Sequence, residues 1–179
     1  KSNGLVEMNP ELENGMRVST KGRVSLEEQA DGSLRVVPHY WQERPDLDAP
    51  FHGVLLDEEA KTNLMNTRHA GKVIDLELEP GKLTPCYVSI DKWTNTLEPM
   101  PVSLLEKRAR IKEADLSEGK QMDFYGGGKV LLEGYTTRAG YKRDAYIQID
   151  AAERNYSFTY DGLDRNRYAQ ENKEIYRQK

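Results

Sequence analysis

Two six-residue stretches repeat one pattern, and no other feature constrains the fold of this chain as tightly. Cys86-Tyr87-Val88-Ser89-Ile90-Asp91 and Ala145-Tyr146-Ile147-Gln148-Ile149-Asp150 both read small, Tyr, β-branched, polar, Ile, Asp. Each alternates inward and outward positions with the period of two that a half-buried strand requires. A second echo precedes each copy: Gly71-Lys72-Val73 ahead of the first, Gly128-Lys129-Val130 ahead of the second. An internal repeat of this kind predicts two related structural units.

In the first unit, Asp57-Glu58-Glu59 predicts a helix start. Asp57 can accept from the free N–H groups of the first turn, and the two glutamates suit its positive dipole end. The helix is expected to stop near Asn66, with a short apolar strand at Phe51–Leu56 before it. Lys72–Glu79 then alternates, with Ile74, Leu76 and Leu78 on one face and Asp75, Glu77 and Glu79 on the other. Pro80-Gly81 turns the chain into the strand whose Cys86, Val88 and Ile90 face inward, and Thr96–Val102 makes the third strand. The second unit repeats the plan. Asp115 is the expected helix cap, Leu116 and Met122 the apolar contacts, and Gly119 a weak point in that helix. Strands follow at Lys129–Thr136, Arg143–Asp150 and Asn155–Tyr160, the last with Tyr156, Phe158 and Tyr160 on one face. The tyrosines of the paired motifs are expected to face outward.

Ahead of both units, Asp31-Gly32 predicts a tight turn, because Gly accepts the positive φ such turns need. Val24, Leu26, Leu34 and Val36 alternate around it as the inward face of a half-buried hairpin should. The predicted class is α+β: a leading β-hairpin followed by two repeated units, each a short helix plus an antiparallel three-stranded meander. The corresponding segments are a flexible 1–14, the hairpin and its connection 15–49, unit one 50–103, unit two 104–162, and a polar tail 163–179 expected to be a frayed helix or disordered.

Composition narrows the function classes. The formal net charge is −4, with 31% charged and 37% hydrophobic residues, which argues against a dedicated duplex-DNA binder. The charge is uneven: residues 1–100 hold 11 Lys and Arg against 17 Asp and Glu, and residues 101–179 hold 15 against 13. No apolar run approaches a membrane span, so no membrane partner is expected. The single cysteine, Cys86, excludes an internal disulfide framework and favours a reducing, cytoplasmic setting. Its inward strand position predicts a buried small hydrophobe.

Several motifs that suggest chemistry are better explained structurally. Gly126-Gly127-Gly128-Lys129 lacks the glycine spacing, the Ser or Thr, and the following helix of a phosphate loop. His39, His52 and His69 share no metal-ligand spacing, and no cofactor is expected. His39 and His52 could meet where the hairpin joins unit one. Asp75, Glu77 and Glu79 alternate as a solvated strand face does. The chain is therefore expected not to be an enzyme.

The functional candidates are cationic and aromatic. Lys107, Arg108, Arg110 and Lys112 form one cluster; Arg138, Lys142 and Arg143, interleaved with Tyr135, Tyr141 and Tyr146, form another. Cations can hold phosphates while exposed tyrosines stack on unpaired bases. These residues, Tyr146 aside, are the candidate contacts for single-stranded nucleic acid.

Longer phrases carry a resemblance. Gly32-Ser33-Leu34-Arg35-Val36-Val37-Pro38-His39-Tyr40-Trp41, Pro50-Phe51-His52-Gly53-Val54, Tyr87-Val88-Ser89-Ile90-Asp91-Lys92 and Thr94-Asn95-Thr96-Leu97 occur in that order. Together with Leu132-Glu133-Gly134-Tyr135-Thr136-Thr137-Arg138-Ala139-Gly140, they resemble an uncharacterised Bacteroidetes family encoded on conjugative transposons and related mobile elements. The resemblance spans residues 15–162. It implies an intracellular accessory module, often part of a longer chain, with no catalytic motif to carry over. It also implies company with DNA-processing machinery such as topoisomerases; the repeated sheets are expected to serve as a protein-interaction platform for an unidentified partner.

Overall fold

The apolar periodicity of the two units is realised as two three-stranded antiparallel meanders, each preceded by a helix, in a computed structural model that describes residues 1–178. In chain order the strands and helices are β1 (Val6–Met8), β2 (Thr20–Glu28), β3 (Leu34–Tyr40), α1 (Glu58–Thr67), β4 (Ile74–Glu79), β5 (Lys82–Ile90) and β6 (Leu97–Pro101). There follow β7 (Arg110–Ile111), β8 (Ala114–Asp115), α2 (Glu118–Tyr125), β9 (Val130–Thr136), β10 (Lys142–Asp150), β11 (Asn155–Thr159) and α3 (Ala169–Arg177). The sheets run β1-β2-β3, β4-β5-β6 and β9-β10-β11, with β7-β8 as a small ribbon. The α+β expectation holds, and the echoed motifs are the central strands β5 and β10.

Local chemistry accounts for the element ends. Asp57 caps α1 by accepting from the Ala60 amide at 2.8 Å. Arg68 closes the helix in the left-handed region at φ 67°. Both repeat aspartates end their strands by accepting from amides two or three residues on. Asp91 Oδ1 accepts from Trp93 N–H at 2.8 Å, and Asp150 Oδ1 from Ala152 at 2.9 Å and Glu153 at 3.2 Å.

Four expectations are corrected. Asp115 does not cap α2, because β8 takes it as the partner of Arg110; Ser117 caps the helix, accepting from the Lys120 amide. Met122 is 77% exposed, since α2 turns Phe124 and Tyr125 to the core instead. Phe51–Leu56 is a tight turn closed by a Phe51–Val54 bridge, with His52 and Gly53 at positive φ, rather than a strand. The segment expected to be flexible, 1–14, contributes β1, which pairs with β2 from Val6↔Gly22 to Met8↔Thr20.

The polar tail is tied down over its described part. Beyond the end of β11, the free edge of β10 at Lys142 is taken by Asn172 of α3. The Asn172 side chain accepts from Lys142 N–H at 2.7 Å and donates to its carbonyl at 3.0 Å. Arg167 and Tyr168 both reach the buried Asp144, at 2.7 and 2.6 Å. Asp144 sits at the register shift of β10 and also accepts from Gly134 N–H. Lys179, the last tail residue, lies outside the described residues.

Two apolar clusters build the core. One gathers Ala60 and Leu64 of α1 with Leu76, Cys86, Val88 and Ile90. The other gathers Phe124, Tyr125, Leu132, Ala145, Ile147 and Ile149, and it also takes Tyr87 and Met100 from the first sheet. One face of the first sheet is therefore covered by α1, and the other, over Tyr87 and Met100, by unit two. Tyr87, expected outward, is 2% exposed and its Oη donates to the Tyr125 carbonyl at 2.7 Å. Burial pushes its phenol up to about 12. At the contact between the units, a Cβ on Gly127 (φ 98°) would stand 2.9 Å from the Lys72 amide nitrogen, so no larger residue fits there.

Candidate functional site

The leading sheet reverses the usual relation between face and environment. Residues paired across strands share a face, so Val6, Gly22, Val24, Leu26, Val36, Pro38 and Tyr40 lie on one side. Arg23, Ser25, Arg35, Val37 and His39 lie on the other. Here the apolar side faces solvent: Leu26 is 64%, Leu34 65% and Val36 61% exposed. Ten of the seventeen exposed large apolar side chains among the described residues fall between Leu5 and Trp41. Neither core cluster contains a residue before Leu47. The expected inward face is thus the outward one.

What the sheet turns inward is an ionic joint. Arg23, 4% exposed, reaches Asp91 at 2.7 Å and Glu153 at 3.0 Å, while Lys1 reaches Glu98 at 2.9 Å and Asp91 at 3.3 Å. His39 Nδ1 stands 2.9 Å from Glu98, and its Nε2 shares a hydrogen at 2.8 Å with Ser25 Oγ. Burial pushes the Glu98 carboxyl up, but His39 and Lys1 pull it further down, and the net shift is downward. Unit one supplies Asp91 and Glu98, and unit two supplies Glu153. The joint therefore holds all three parts together. It lines a groove of about 1010 Å³ that both His39 and His52 border.

The nominated basic residues are re-sorted by the fold. Thr136 N–H donates to the Lys112 carbonyl at 2.9 Å, which docks the β7–β8 turn onto the end of β9 and brings Lys112 to the Tyr135 and Phe158 rings. Arg143 pairs with Tyr135 across the sheet and lies with its guanidinium carbon 3.6 Å from the Tyr160 ring centroid. Tyr135 is 3% exposed, its Oη bonded to Tyr160 Oη at 2.6 Å, and burial first and that bond second push it up to about 12. Its ring offers no free face to a base. Lys142 is held by Thr136 at 2.9 Å and Glu113 at 3.8 Å. Arg108 pairs with Glu106, and Arg110 with Asp115. Lys107 is exposed, Arg138 is exposed in the β9–β10 loop, and Tyr141 is half-buried.

Arg108, Arg110 and Lys112 line a pocket of about 240 Å³ with Asn155, Tyr156 and Phe158. Sequence reasoning placed Tyr156, Phe158 and Tyr160 on one strand face but did not connect them to the cations. The register of β11 with β10 and the long-range docking of β7–β8 make that connection.

The other motifs have structural surroundings. Asp75, Glu77 and Glu79 are exposed on β4, and Glu77 accepts from Gly81 N–H. Cys86 is buried and burial raises its thiol. His69 bonds Ser89 Oγ at 2.8 Å, and burial lowers its pKa. Among the described residues no group of three or more His, Cys, Asp or Glu is placed to hold a metal ion. No helix among them is long and apolar enough to cross a membrane.

Comparison with known proteins follows the same division of the chain. Residues 1–50, the leading sheet and its connection, match the model of a family described as Protein of unknown function (DUF4099). Residues 108–161, from the β7–β8 ribbon to the end of β11, match that of a family described as Protein of unknown function (DUF3945). Neither the comparison with curated proteins nor that with solved structures gives a match.

Proposed function

We propose that the chain is a non-enzymatic interaction module that serves the cytoplasmic machinery of a mobile genetic element by binding a protein partner. The observation that carries this reading is the uncovered apolar face of the leading sheet, centred on Leu26, Leu34 and Val36. A contiguous apolar sheet face left in water is a recognised mark of an interaction surface. The mobile-element setting rests on the phrase resemblance across residues 15–162, with which two matches to families of unknown function are compatible. The two repeated sheets, expected to be the platform, bury most of their apolar residues against each other and the helices, which favours the leading sheet for the role.

The test compares Leu26→Asp/Val36→Asp with Leu83→Asp, an equally exposed position on β5. Tagged chains are recovered from the native host and their partners quantified. Loss of a specific partner in the double variant, with retention in Leu83→Asp and unchanged melting of all three, is the expected result. The same partners on every variant would remove the leading sheet from the proposal.

A second reading, direct binding of single-stranded nucleic acid, is favoured by one observation. Lys112 and Arg143 are held by aromatic rings instead of carboxylates.

A further inference from the structure

The edge strand β11 carries Tyr156, Phe158 and, one residue past its end, Tyr160 on a single face. Two of the three rings hold a cation, and Arg108 lines the same pocket as the third. Arg108 lies beside Tyr156, sharing its pocket and acting on its phenol. The Lys112 amine stands 4.6 Å from the Phe158 ring centroid, and the Arg143 guanidinium carbon 3.6 Å from that of Tyr160. Alternate residues on an antiparallel strand are roughly 7 Å apart, so Lys112 and Arg143, each on its own ring, are stepped along the edge, and Arg108 lines the pocket at the Tyr156 end. An extended polynucleotide steps its phosphates on the same scale.

The way the cations are held matters as much as where they stand. A ring face orients an ammonium or guanidinium group through its quadrupole without neutralising it. Among the described residues, no carboxylate forms an ion pair with Lys112 or Arg143. Arg108 does pair with Glu106, but that pair is largely exposed and contributes little.

The backbone beneath the cations is fixed. Tyr125 Oη accepts from Arg108 N–H at 2.6 Å and donates to the Arg108 carbonyl at 2.7 Å. Lys112 and Glu113 both sit in the left-handed region, at φ 46° and 67°, in a two-residue turn with no glycine. That conformation is unfavourable for such side chains, and strain of this kind is retained where surrounding structure enforces it. The turn is what carries the Lys112 amine over Phe158.

Resting on the second reading above, we infer that Arg108, Lys112 and Arg143 form a phosphate-spaced row along β11 for one extended strand of nucleic acid. Phe158 and Tyr160 serve in it as holders of Lys112 and Arg143, and none of Tyr156, Phe158 and Tyr160 serves as a stacking platform, because their rings are half-buried against the core. The chain's net charge of −4 argues against a dedicated duplex binder.

The test titrates a labelled oligothymidylate, its duplex with oligoadenylate, and a mononucleotide against the full chain at two salt concentrations. Three phosphates on a single strand give a log–log salt slope of about −2, or about 15–20-fold weaker binding over a fourfold rise in salt. Lys112→Gln and Arg143→Gln are each expected to flatten that slope by about 0.7, with Lys112→Arg restoring it and Lys82→Gln leaving it unchanged. Melting curves check that the variants fold. Oligothymidylate binding that neither glutamine variant alters would overturn the row while leaving the second reading standing. Failure to bind at low salt would overturn both. Equal affinity for the duplex or the mononucleotide would overturn the single-strand assignment.

Discussion

Arg23 and Asp91 meet at 2.7 Å with the arginine 4% and the aspartate 0% exposed, sixty-eight residues apart in sequence. The pair joins a sheet that has no share in either apolar core to unit one, and the same guanidinium reaches unit two through Glu153 at 3.0 Å. Removing one partner of a buried pair leaves the other charge uncompensated, which costs about 3–5 kcal/mol. Arg23→Gln is expected to show that loss in urea unfolding, together with faster amide exchange in β1, β2 and β3. Arg35→Gln, which breaks only the exposed pair with Glu27, should change stability by no more than about 0.5 kcal/mol. Equal effects from both would show that the joint does not hold the sheet.

The joint should also loosen in acid. The folded-state pKa of Glu98 lies below its ordinary value of 4.5. Its stabilising contribution is therefore fully present above that value and is lost as pH falls through the lower folded one. Exchange in the leading sheet is expected to accelerate across this window before the core clusters open. Glu98→Gln should remove most of that acid response.

Ser25, His39 and Glu98 stand in the atom order of a hydrolase relay, with Oγ on Nε2 and the carboxylate on Nδ1. In this chain the relay is also part of the joint, since Glu98 is shared with Lys1 and Thr96. A non-enzymatic module predicts that a fluorophosphonate probe leaves Ser25 unmodified. Labelling of Ser25 that disappears in His39→Gln would contradict the absence of catalysis.

Asn172 pairs with the backbone of Lys142 at 2.7 and 3.0 Å as a neighbouring strand would. Asn172→Leu is expected to cost about 1–2 kcal/mol, since two hydrogen bonds of about 0.5–1.5 kcal/mol each are lost. The Lys142 amide should then exchange faster while β5 is unaffected. A protected Lys142 amide in the variant would rule out the edge-closing role.

The strained turn separates stability from binding. Lys112→Asn supplies a residue that tolerates the left-handed region, keeps the Glu113 contacts with Thr136 and Lys142, and should raise stability by about 1 kcal/mol. The same change removes one cation beside Phe158. A more stable protein with a flatter salt slope is expected; lower stability would show that the turn carries no strain.

Much of the architecture was legible because alternation survives burial. The repeat, the order of its elements, the Asp57 cap and the role of Asp91 and Asp150 at strand ends all follow from local pattern. What alternation does not encode is which face is covered. Val24, Leu26, Leu34 and Val36 read as a core face, yet carboxylates from distant segments, Asp91, Glu98 and Glu153, gather beneath the opposite one. Tyr87 reads as outward for the same reason, since unit two covers it only through tertiary packing. Among the basic candidates, local spacing found the charges but not their partners. Tyr135 went inward, and the aromatic strand face of Tyr156 and Phe158 was matched to Lys112 only by the docking of the β7–β8 turn.

A part fastened by charges and not by shared oil-like contacts can be lost or exchanged without leaving a raw hydrophobic wound on the remainder. Neither core draws on the leading sheet, and what the units turn toward it is Asp91, Glu98 and Glu153. Recombination that swaps one N-terminal piece for another meets a low barrier at such a seam, provided the newcomer brings an arginine to the place of Arg23. Residues 1–50 and 108–161 match the models of two separate families, and the seam lies between them.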